Sequence, residues 1–412
     1  MTRVVTKLMS YKIFLMKEYL RAFYLAAILG VLIFVGAADQ ILAQTNSPDL
    51  TPTMILNEMQ RVADWQLAHP VTNRPTGWVC AVGDIGMMAM AGVSSDPKYR
   101  EAMLAKGETN GWELPAYQGR KYHADDQCIG QVWTELYFLY HENGMITPMR
   151  AKMDFILSNP PPDQSLEWTA KSQEAWSWCD ALFMAPPAWL RLYAATDDKR
   201  YMNFAVSNFW RTADFLYDKD EYLFFRDSSF FNKREANGQK IFWSRGNGWV
   251  LAGIVRMLEY LPANHPERPR FEQLFKDMAA KIVACQQPDG MWHTSLLDSQ
   301  DYLMPESSGS ALFIYGLAWG VNQGLLDRET YEPAIRRGWA GLAKCLDSDG
   351  RLTHVQATGS GPALFAENST APYGNGVFLL AGSEVYRLSD LKNAKAVVVK
   401  ASNKSIFHQV VQ

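Results

Sequence analysis

Residues 243–262 read WSRGNGWVLAGIVRMLEYLP, and this stretch carries the clearest evidence for the fold. Val250, Ile254 and Leu258 recur at every fourth position, which is typical of a helix with an apolar face, and Pro262 ends the run. A polar cluster that contains one arginine comes directly before the apolar residues. The stretch therefore predicts a buried helix whose first turn carries functional side chains.

The same helical period continues along the chain after about residue 50. It predicts helices near 54–68, 79–93, 96–109, 125–142, 146–158, 176–195, 198–217, 246–260, 268–287, 306–322, 328–346 and 372–388. These segments form pairs that repeat every roughly 45–70 residues, a period typical of stacked helical hairpins. Strand signals are confined to short pieces such as Tyr222 to Phe225.

One helix of each pair is apolar and rich in glycine and alanine, and the other is amphipathic. An apolar inner ring inside an amphipathic outer ring predicts an all-α fold, an (α/α)6 toroid of six helical hairpins. An open solenoid is the alternative, but its repeats would be more alike and its ends would be capped. Long loops lead into the inner helices, and all inner helices of a toroid begin at one end. The clusters expected to converge there are those at Trp78, Asp125, Asp180, Arg245, Glu306 and Tyr373.

The composition is that of an ordinary globular protein: 412 residues, 48% hydrophobic, with a formal net charge of -3. This balance, without a basic stripe, gives no reason to expect nucleic acid as a partner. Aromatic residues make up 13% of the chain, which suits a cleft whose rings pack on sugars, although most rings are expected in the core. The five cysteines form no CxxC motif and are predicted to be mostly buried free thiols. The seven histidines form no HExxH or HxH motif, so neither a metal site nor a cofactor is predicted.

The N-terminus is predicted to be a signal peptide over residues 1–43. Basic residues precede an apolar run from Ala22 to Ala38, which is shorter than the roughly 20 residues needed to span a bilayer. Cleavage is expected after Ala38 or Ala43. A membrane anchor is the alternative, but we favour export to the periplasm or the extracellular space, with no anchor left after cleavage. The barrel is predicted over 50–390, followed by a tail over 391–412, and nothing in the sequence indicates an oligomeric state.

Two carboxylates are candidates for acid–base chemistry. Asp180 begins a predicted inner helix next to Trp176 and Trp178, whose rings would partly desolvate it. Desolvation raises a carboxyl pKa and makes proton donation near neutral pH feasible. Asp125, which Asp126 follows, begins another inner helix and offers a second carboxylate. At a helix start, each acid has an alternative role as an N-cap.

Arg245 is the candidate for binding a substrate anion, because a guanidinium holds a carboxylate through two parallel hydrogen bonds. The flanking glycines allow close backbone approach, and the helix N-terminus adds positive potential. Trp243 and Trp249 could stack on a sugar ring, or pack in the core around a structural ion pair of Arg245. The turn that ends in His293 could deliver a histidine to the cleft, and Glu306 is interpreted as a helix cap.

Four motifs relate this chain to a known family. They are Trp178-Cys179-Asp180-Ala181-Leu182-Phe183-Met184-Ala185, Phe242-Trp243-Ser244-Arg245-Gly246-Asn247-Gly248-Trp249, Glu306-Ser307-Ser308-Gly309-Ser310-Ala311 and Tyr373-Gly374-Asn375-Gly376. With them the chain resembles the unsaturated glucuronyl and rhamnogalacturonyl hydrolases, glycoside hydrolase families 88 and 105, and most of all family 105. The resemblance covers about residues 55–390. It implies an (α/α)6 barrel and a metal-free reaction on oligosaccharides left by polysaccharide lyases.

The resemblance also implies roles for individual residues. Asp180 would protonate carbon four of a terminal 4,5-unsaturated uronate and take a proton from the water that adds at carbon five. The hemiketal then opens and releases the neighbouring sugar. Asp125 would hold ring hydroxyls and steer the water. The implied substrate-binding residues are Arg245, Trp243, Trp249, Trp178, Asn247 and His293.

The chain departs from the family pattern at two places near this site. Some members have a histidine where this chain has Thr169, and many have a histidine in the loop that here reads Phe225-Arg226-Asp227. Both departures concern contacts to the leaving sugar.

The sequence thus predicts an exported hydrolase for acidic oligosaccharides. The expected substrates are pectic rhamnogalacturonan fragments that end in a 4,5-unsaturated galacturonyl residue. Fragments of ulvan or glycosaminoglycans are alternative substrates. A non-catalytic glycan-binding toroid and a different toroid enzyme, such as an epimerase or a lyase, are the competing interpretations.

Overall fold

The structure is a computed structural model that describes residues 50–169 and 171–390. Its α-helices are α1 Pro52–Ala68, α2 Trp78–Ala91, α3 Lys98–Thr109, α4 Gly130–Tyr140, α5 Thr147–Ser158, α6 Ala181–Met184, α7 Pro186–Thr196, α8 Lys199–Leu216, α9 Ser244–Leu258, α10 Arg268–Ala284, α11 Ser307–Asn322, α12 Arg328–Ala343 and α13 Pro372–Asp390. Strands β1 Tyr217–Asp218 and β2 Leu223–Phe224 pair antiparallel. The predicted signal peptide and the tail over 391–412 lie outside the described residues.

The inner helices form a closed ring. Helix α2 packs against α4, α4 against α7, α6 and α7 against α9, α9 against α11, and α11 against α13. Helix α13 packs in turn against α2, which closes the ring. Outside it, α1, α3, α8, α10 and α12 pack on α13, α2, α7, α9 and α11 respectively. These contacts confirm the predicted (α/α)6 toroid, because an open solenoid would leave its first and last hairpins apart.

The burial of each helix follows from its composition. Every residue of α9 is buried, as expected for an inner helix enclosed by its neighbours. Helix α8, by contrast, buries one face, with Tyr201, Phe209 and Leu216 on it, and Asp198 caps its first turn by accepting from the Arg200 N–H. At the closure of the ring, Gly86 of α2 and Gly376 of α13 bring the two backbones into direct contact.

The helix predicted over 176–195 starts five residues too early and is in fact two helices. Trp176 has a left-handed backbone, with φ of 61°, and α6 starts only at Ala181. Pro186 and Pro187 then separate α6 from α7, because proline lacks the N–H that a continuous helix requires. The helix predicted over 125–142 likewise begins as a separate 3₁₀ turn, Ala124–Gln127, before α4.

Two smaller predictions are confirmed. The strand signal near Tyr222 corresponds to β2. Five free, buried cysteines are present in the described residues, namely Cys80, Cys128, Cys179, Cys285 and Cys345. None of the helices in this part of the chain combines the length and apolar character needed to cross a bilayer.

Candidate active site

The starts of the inner helices meet at one end of the toroid, as predicted. Trp78, at the start of α2, stacks on Tyr373 of α13 with ring centroids 5.1 Å apart. The Tyr373 ring lies 5.1 Å from Cζ of Arg245 in α9, and Nη1 of Arg245 donates to Oγ of Ser308 in α11 at 3.4 Å. These contacts join four of the six helix starts, and electrostatic coupling of Asp180 to Arg245 and to Asp125 joins the other two.

Asp180 is not a helix cap, although it stands at the cap position of α6. Its side chain accepts no capping hydrogen bond from the helix. It is 13% exposed, it accepts from the Cys179 thiol at 3.4 Å, and Nε of Arg226 lies 3.9 Å from its Oδ2. Burial raises the pKa of Asp180, while the charges of Arg226 and Arg245 oppose this rise. A carboxyl group with this environment is suited to proton transfer.

Asp125 is held by a histidine that the sequence did not single out. His123 Nδ1 accepts from the backbone N–H of Asp125 at 3.3 Å, and His123 Nε2 lies 3.0 Å from Oε1 of Gln173. Burial, followed by the charge of Arg120, lowers the pKa of His123 to about 4, so the ring is neutral and Nε2–H is the donor to Gln173. The neighbouring Asp126 is paired with Arg120 instead and does not join the site.

Asp125 and Asp180 together retain a proton near neutral pH. Burial and then the nearby charge of Asp180 raise the pKa of Asp125 to about 7. Two coupled carboxyl groups titrate as a unit, and they resist becoming anionic together. The charges of Arg226 and Arg245 oppose the rise in the pKa of Asp180, and those of Arg120 and Arg226 oppose it for Asp125, so the two carboxyl groups share the proton.

Arg245 is nearly fully buried at the base of the cluster. Its guanidinium lies over the Trp243 ring, at 4.6 Å from the centroid. Nη1 donates to the carbonyl oxygen of Gln356 at 2.5 Å, and Nη2 donates to that of Ala357 at 2.9 Å. Nε has no hydrogen-bond partner among the described residues. The loop at 356–357 therefore orients the guanidinium and leaves part of its donor capacity for an anion.

Arg226 is the second cation of the site, and sequence reasoning did not assign it a role. It follows β2 and stacks on Trp168, with Cζ 4.2 Å from the ring centroid. Its Nη1 donates to Oδ2 of Asp227 at 2.6 Å. The sequence did contain one indication that Arg226 belongs to the site, because Arg226 lies in the loop where many family members have a histidine.

Trp243 and Trp249, which were predicted to contact the substrate, are both buried. Trp249 has no exposed surface and packs against Phe183, with centroids 4.9 Å apart, so it cannot stack on a sugar in this conformation. Trp243 is 2% exposed, and its Nε1 donates to Oε1 of Gln356. Trp243 lies beneath Arg245, Trp249 packs against Phe183, and neither ring forms an open platform.

Asn247 and His293 are also engaged elsewhere. The Asn247 side chain bonds to both backbone groups of Phe224 and to the carbonyl of Trp243, so it anchors β2 to α9. The His293 imidazole bonds to Asp289 and to the carbonyl of Ser299, both within its own loop. The polar atoms of both side chains already have protein partners, and direct contact with substrate stays a prediction for these two residues.

Trp178 and Glu306 support the two halves of the site. The Trp178 ring lies 4.9 Å from that of His123 and is 4% exposed. Glu306 is the cap of α11, as interpreted from the sequence, and its carboxylate also accepts from the backbone N–H of Gln356 at 3.0 Å. Glu306 thus connects the start of α11 to the loop that orients Arg245.

Comparison with known proteins identifies the family of this chain. A family model described as Glycosyl Hydrolase Family 88 matches residues 49–389. An unsaturated 3S-rhamnoglycuronyl hydrolase of Formosa agariphila is 37% identical over 378 residues, which are 88% of this chain and 98% of that protein. A solved glycosyl hydrolase family 88 structure from Bacteroides vulgatus has a TM-score of 0.74 at 29% identity, and covers 82% of this chain and 100% of its own. A second solved structure, described as a polysaccharide lyase, has a TM-score of 0.74 at 30% identity over 84% of this chain and 99% of its own. The chain belongs to glycosyl hydrolase family 88 and hydrolyses unsaturated uronyl residues.

Proposed function

We propose that the substrates are short acidic oligosaccharides in which a terminal 4,5-unsaturated uronate is linked to rhamnose. The name of the Formosa relative supports this linkage and favours 3-sulfated rhamnose, as in ulvan fragments. Pectic fragments with an unsaturated galacturonyl end are the second candidate, because the Asp180 and Arg245 motifs resemble those of rhamnogalacturonyl hydrolases. One observation carries the proposal. Asp180 is buried, its side chain does not cap the helix, and its charge is coupled both to Asp125 and to the cation of Arg245.

The residues divide the reaction between them. Arg245 receives the uronate carboxylate, which offers the acceptor that its Nε lacks. Asp180 gives its proton to carbon four, and the electrons of the double bond form the new C–H bond. Water adds to carbon five and returns a proton to Asp180. The hemiketal opens, and the neighbouring sugar leaves.

Substrate binding itself prepares Asp180 for proton donation. In the free site, Arg245 is one of two cations that lower the pKa of Asp180 against the effect of burial. A uronate carboxylate on Arg245 neutralises this charge, so the pKa of Asp180 rises and the shared proton is held on Asp180. One acid–base step of this kind contributes about 10²–10⁴-fold to the rate, and positioning supplies the rest.

A cavity lined in part by residues 359–363, which follow the loop that orients Arg245, supports an oligosaccharide substrate rather than a single sugar. It has a volume of about 280 Å³, and it is lined by Phe230, Glu235, Ile241, Tyr302 and residues 359–363. Gln356 connects it to the uronate side, because its side-chain amide donates to the carbonyl of Gly361 while its own carbonyl accepts from Arg245. Aromatic rings beside a carboxylate are suited to a sugar ring with hydroxyl groups.

A direct test follows the ultraviolet absorbance of the double bond. The wild type should consume the absorbance of lyase-generated ulvan disaccharides faster than that of pectic ones, and Asp180→Asn should lower kcat by about 10³-fold. The reverse preference would favour the pectic candidate. New absorbance on intact polysaccharide would indicate a lyase, and binding without any change in absorbance would indicate a glycan-binding protein. If Asp180→Asn consumes the double-bond absorbance as fast as the wild type does, Asp180 is not the proton donor.

We further propose that the chain is exported to the periplasm or beyond the cell. The proposal is supported by the apolar run from Ala22 to Ala38 and by the small residues at its end. The N-terminal sequence of the protein recovered from expressing cells tests it. A mature chain that still begins at residue 1 would contradict the proposal.

A further inference from the structure

Arg226 is a cation beside Asp180 that the proposed reaction leaves without a task. Its side chain is 12% exposed and is fixed on two sides. The Trp168 ring stacks on the guanidinium plane at 4.2 Å, and Oδ2 of Asp227 accepts from Nη1 at 2.6 Å. Asp227 is itself 1% exposed, and it also accepts from the backbone N–H of Ser229. The guanidinium therefore has a defined plane and edge before any substrate binds.

The edge that faces Asp180 is not saturated. Nε of Arg226 is buried, and it has no hydrogen-bond partner among the described residues. It lies 3.9 Å from Oδ2 of Asp180, too far for a hydrogen bond. A movement of about 1 Å would bring the two atoms into hydrogen-bond distance.

Asp180 changes its charge during the proposed reaction, and this change determines when the contact forms. While Asp180 is protonated, its oxygen attracts the guanidinium weakly. When the proton moves to carbon four, negative charge appears on the carboxylate, and a charge-assisted hydrogen bond from Nε becomes much stronger. An interaction that strengthens as the reaction proceeds lowers the barrier, whereas one that is equally strong before the reaction does not.

We propose that Arg226 is a positioning residue that closes on the Asp180 carboxylate as its proton leaves, and that holds it for the proton returned by water. The inference rests on the proposed function. The Asp180 O–H bond breaks as the C–H bond at carbon four forms, and the water O–H bond breaks as its oxygen joins carbon five. Arg226 neither gives nor takes a proton, since a guanidinium stays protonated in proteins.

Other charges also act on these two groups and have to be considered in the test. Asp180 is coupled to Arg245 and Asp125, and it accepts from the Cys179 thiol. Arg226 is paired with Asp227, and its charge also lowers the pKa of His123 and Asp125. Of these groups, Asp227 contacts Arg226 directly, so changing it alters the cation while leaving the carboxyl pair intact.

The experiment compares Arg226→Gln, Arg226→Lys and Asp227→Asn on two substrates, an unsaturated uronyl-rhamnose disaccharide and the methyl glycoside of the same uronate. Arg226→Gln should lower kcat by about 30-fold on both substrates and change KM by less than about threefold. Its high-pH limb of activity should move to higher pH by about half a unit or more, because the cation that lowers the pKa of Asp180 is gone. Arg226→Lys keeps the charge and should recover part of kcat.

Asp227→Asn gives a shift of opposite sign and preserves the side-chain shape. Removing the anion next to Arg226 leaves its positive charge less compensated, so the high-pH limb should move to lower pH. General loosening of the loop cannot produce opposite shifts from two neighbouring variants. If Arg226→Gln fails to fold, the direction of the Asp227→Asn shift still decides. Arg234→Gln is the matched control, because Arg234 is exposed in the same loop and bonds to backbone carbonyls.

Two results would overturn the inference alone. An increase of KM confined to the disaccharide would mean that Arg226 binds the leaving sugar. Lower activity in all three variants with unmoved pH limbs would mean that Arg226 is only structural. A wild type that consumes neither substrate would overturn the proposed function together with this inference, so the two failures are distinguishable.

Discussion

Among single residues, Asp125 is expected to affect the charge of Asp180, because the two carboxyl groups are coupled. In Asp125→Asn, the amide cannot carry the negative charge that disfavours ionisation of Asp180 above about pH 7. The pKa of Asp180 should then fall, and the high-pH limb of kcat/KM should move to lower pH. The same variant also loses the carboxyl group that shares a proton with Asp180, so kcat/KM at neutral pH should fall by about 10²-fold. A pH profile measured on the unsaturated disaccharide checks both effects.

Asp220→Asn is the matched control for this change of charge, because its side chain is 91% exposed. It should leave the profile where it is. An Asp125→Asn profile that moves to higher pH would contradict the coupling between the two carboxyl groups. Unchanged positions of both limbs would instead mean that Asp180 titrates independently.

Some residues of the site could be predicted from sequence, and others could not. Asp180 and Arg245 stand in local motifs at helix starts, so their convergence follows from the toroid. The role of Arg226 depends on its contacts with Trp168 and Asp180, which come from two other parts of the chain, so local sequence could not predict it. Trp249 has the same aromatic signal as a sugar platform, but the packing of Phe183 against it removes its exposed surface. Burial of this kind is decided by tertiary packing and not by local pattern.

At the scale of elements, the start of α11 orients the base of the site. Glu306 Oε1 accepts from N–H and Oγ of Ser308 and from N–H of Gln356, and Oε2 accepts from N–H of Gly309. In Glu306→Gln, an NH₂ group replaces one acceptor and leaves buried donors unpaired, which should lower the free energy of unfolding by about 2 kcal/mol. KM should rise as well, because Ser308 and Gln356 both contact Arg245.

Urea unfolding and steady-state kinetics measure the two effects of Glu306→Gln. Asp327→Asn is its matched control, since Asp327 caps α12 in the same way but is exposed. An exposed cap changed to asparagine should cost only a few tenths of a kcal/mol, as asparagine is also a good cap. Equal effects of the two variants on KM would show that α11 does not orient Arg245.

The element boundaries that the periodicity missed have tertiary causes. Two hydrogen bonds hold the left-handed backbone of Trp176. Its Nε1 donates to the carbonyl of Tyr122, and the Thr212 hydroxyl donates to the carbonyl of Trp176. Neither partner is near Trp176 in sequence. The break before α7 could have been read from Pro186 and Pro187, because proline favours helix starts over interiors.

At the scale of the whole molecule, the toroid depends on contact between its last and first inner helices. The alternation of apolar and amphipathic helices was enough to predict a ring, because each apolar helix has to be enclosed on all sides. That pattern does not show how closely α13 approaches α2. The glycines at the crossing determine it, since a Cβ on Gly86 would overlap the backbone of Gly376.

Gly86→Ala should therefore destabilise the entire ring. Alanine normally stabilises a helix interior relative to glycine by about 0.5–1 kcal/mol, but here its methyl group meets backbone that cannot rotate away. We expect a loss of about 3 kcal/mol in the free energy of unfolding, together with lower kcat/KM, because Tyr373 and Trp78 lie on the two helices that are forced apart. Gly144→Ala is the control, as nothing lies within 4 Å of its new methyl group. If both variants unfold at the same urea concentration as the wild type, close packing of α2 on α13 does not hold the ring closed, and the alignment of the helix starts has another cause.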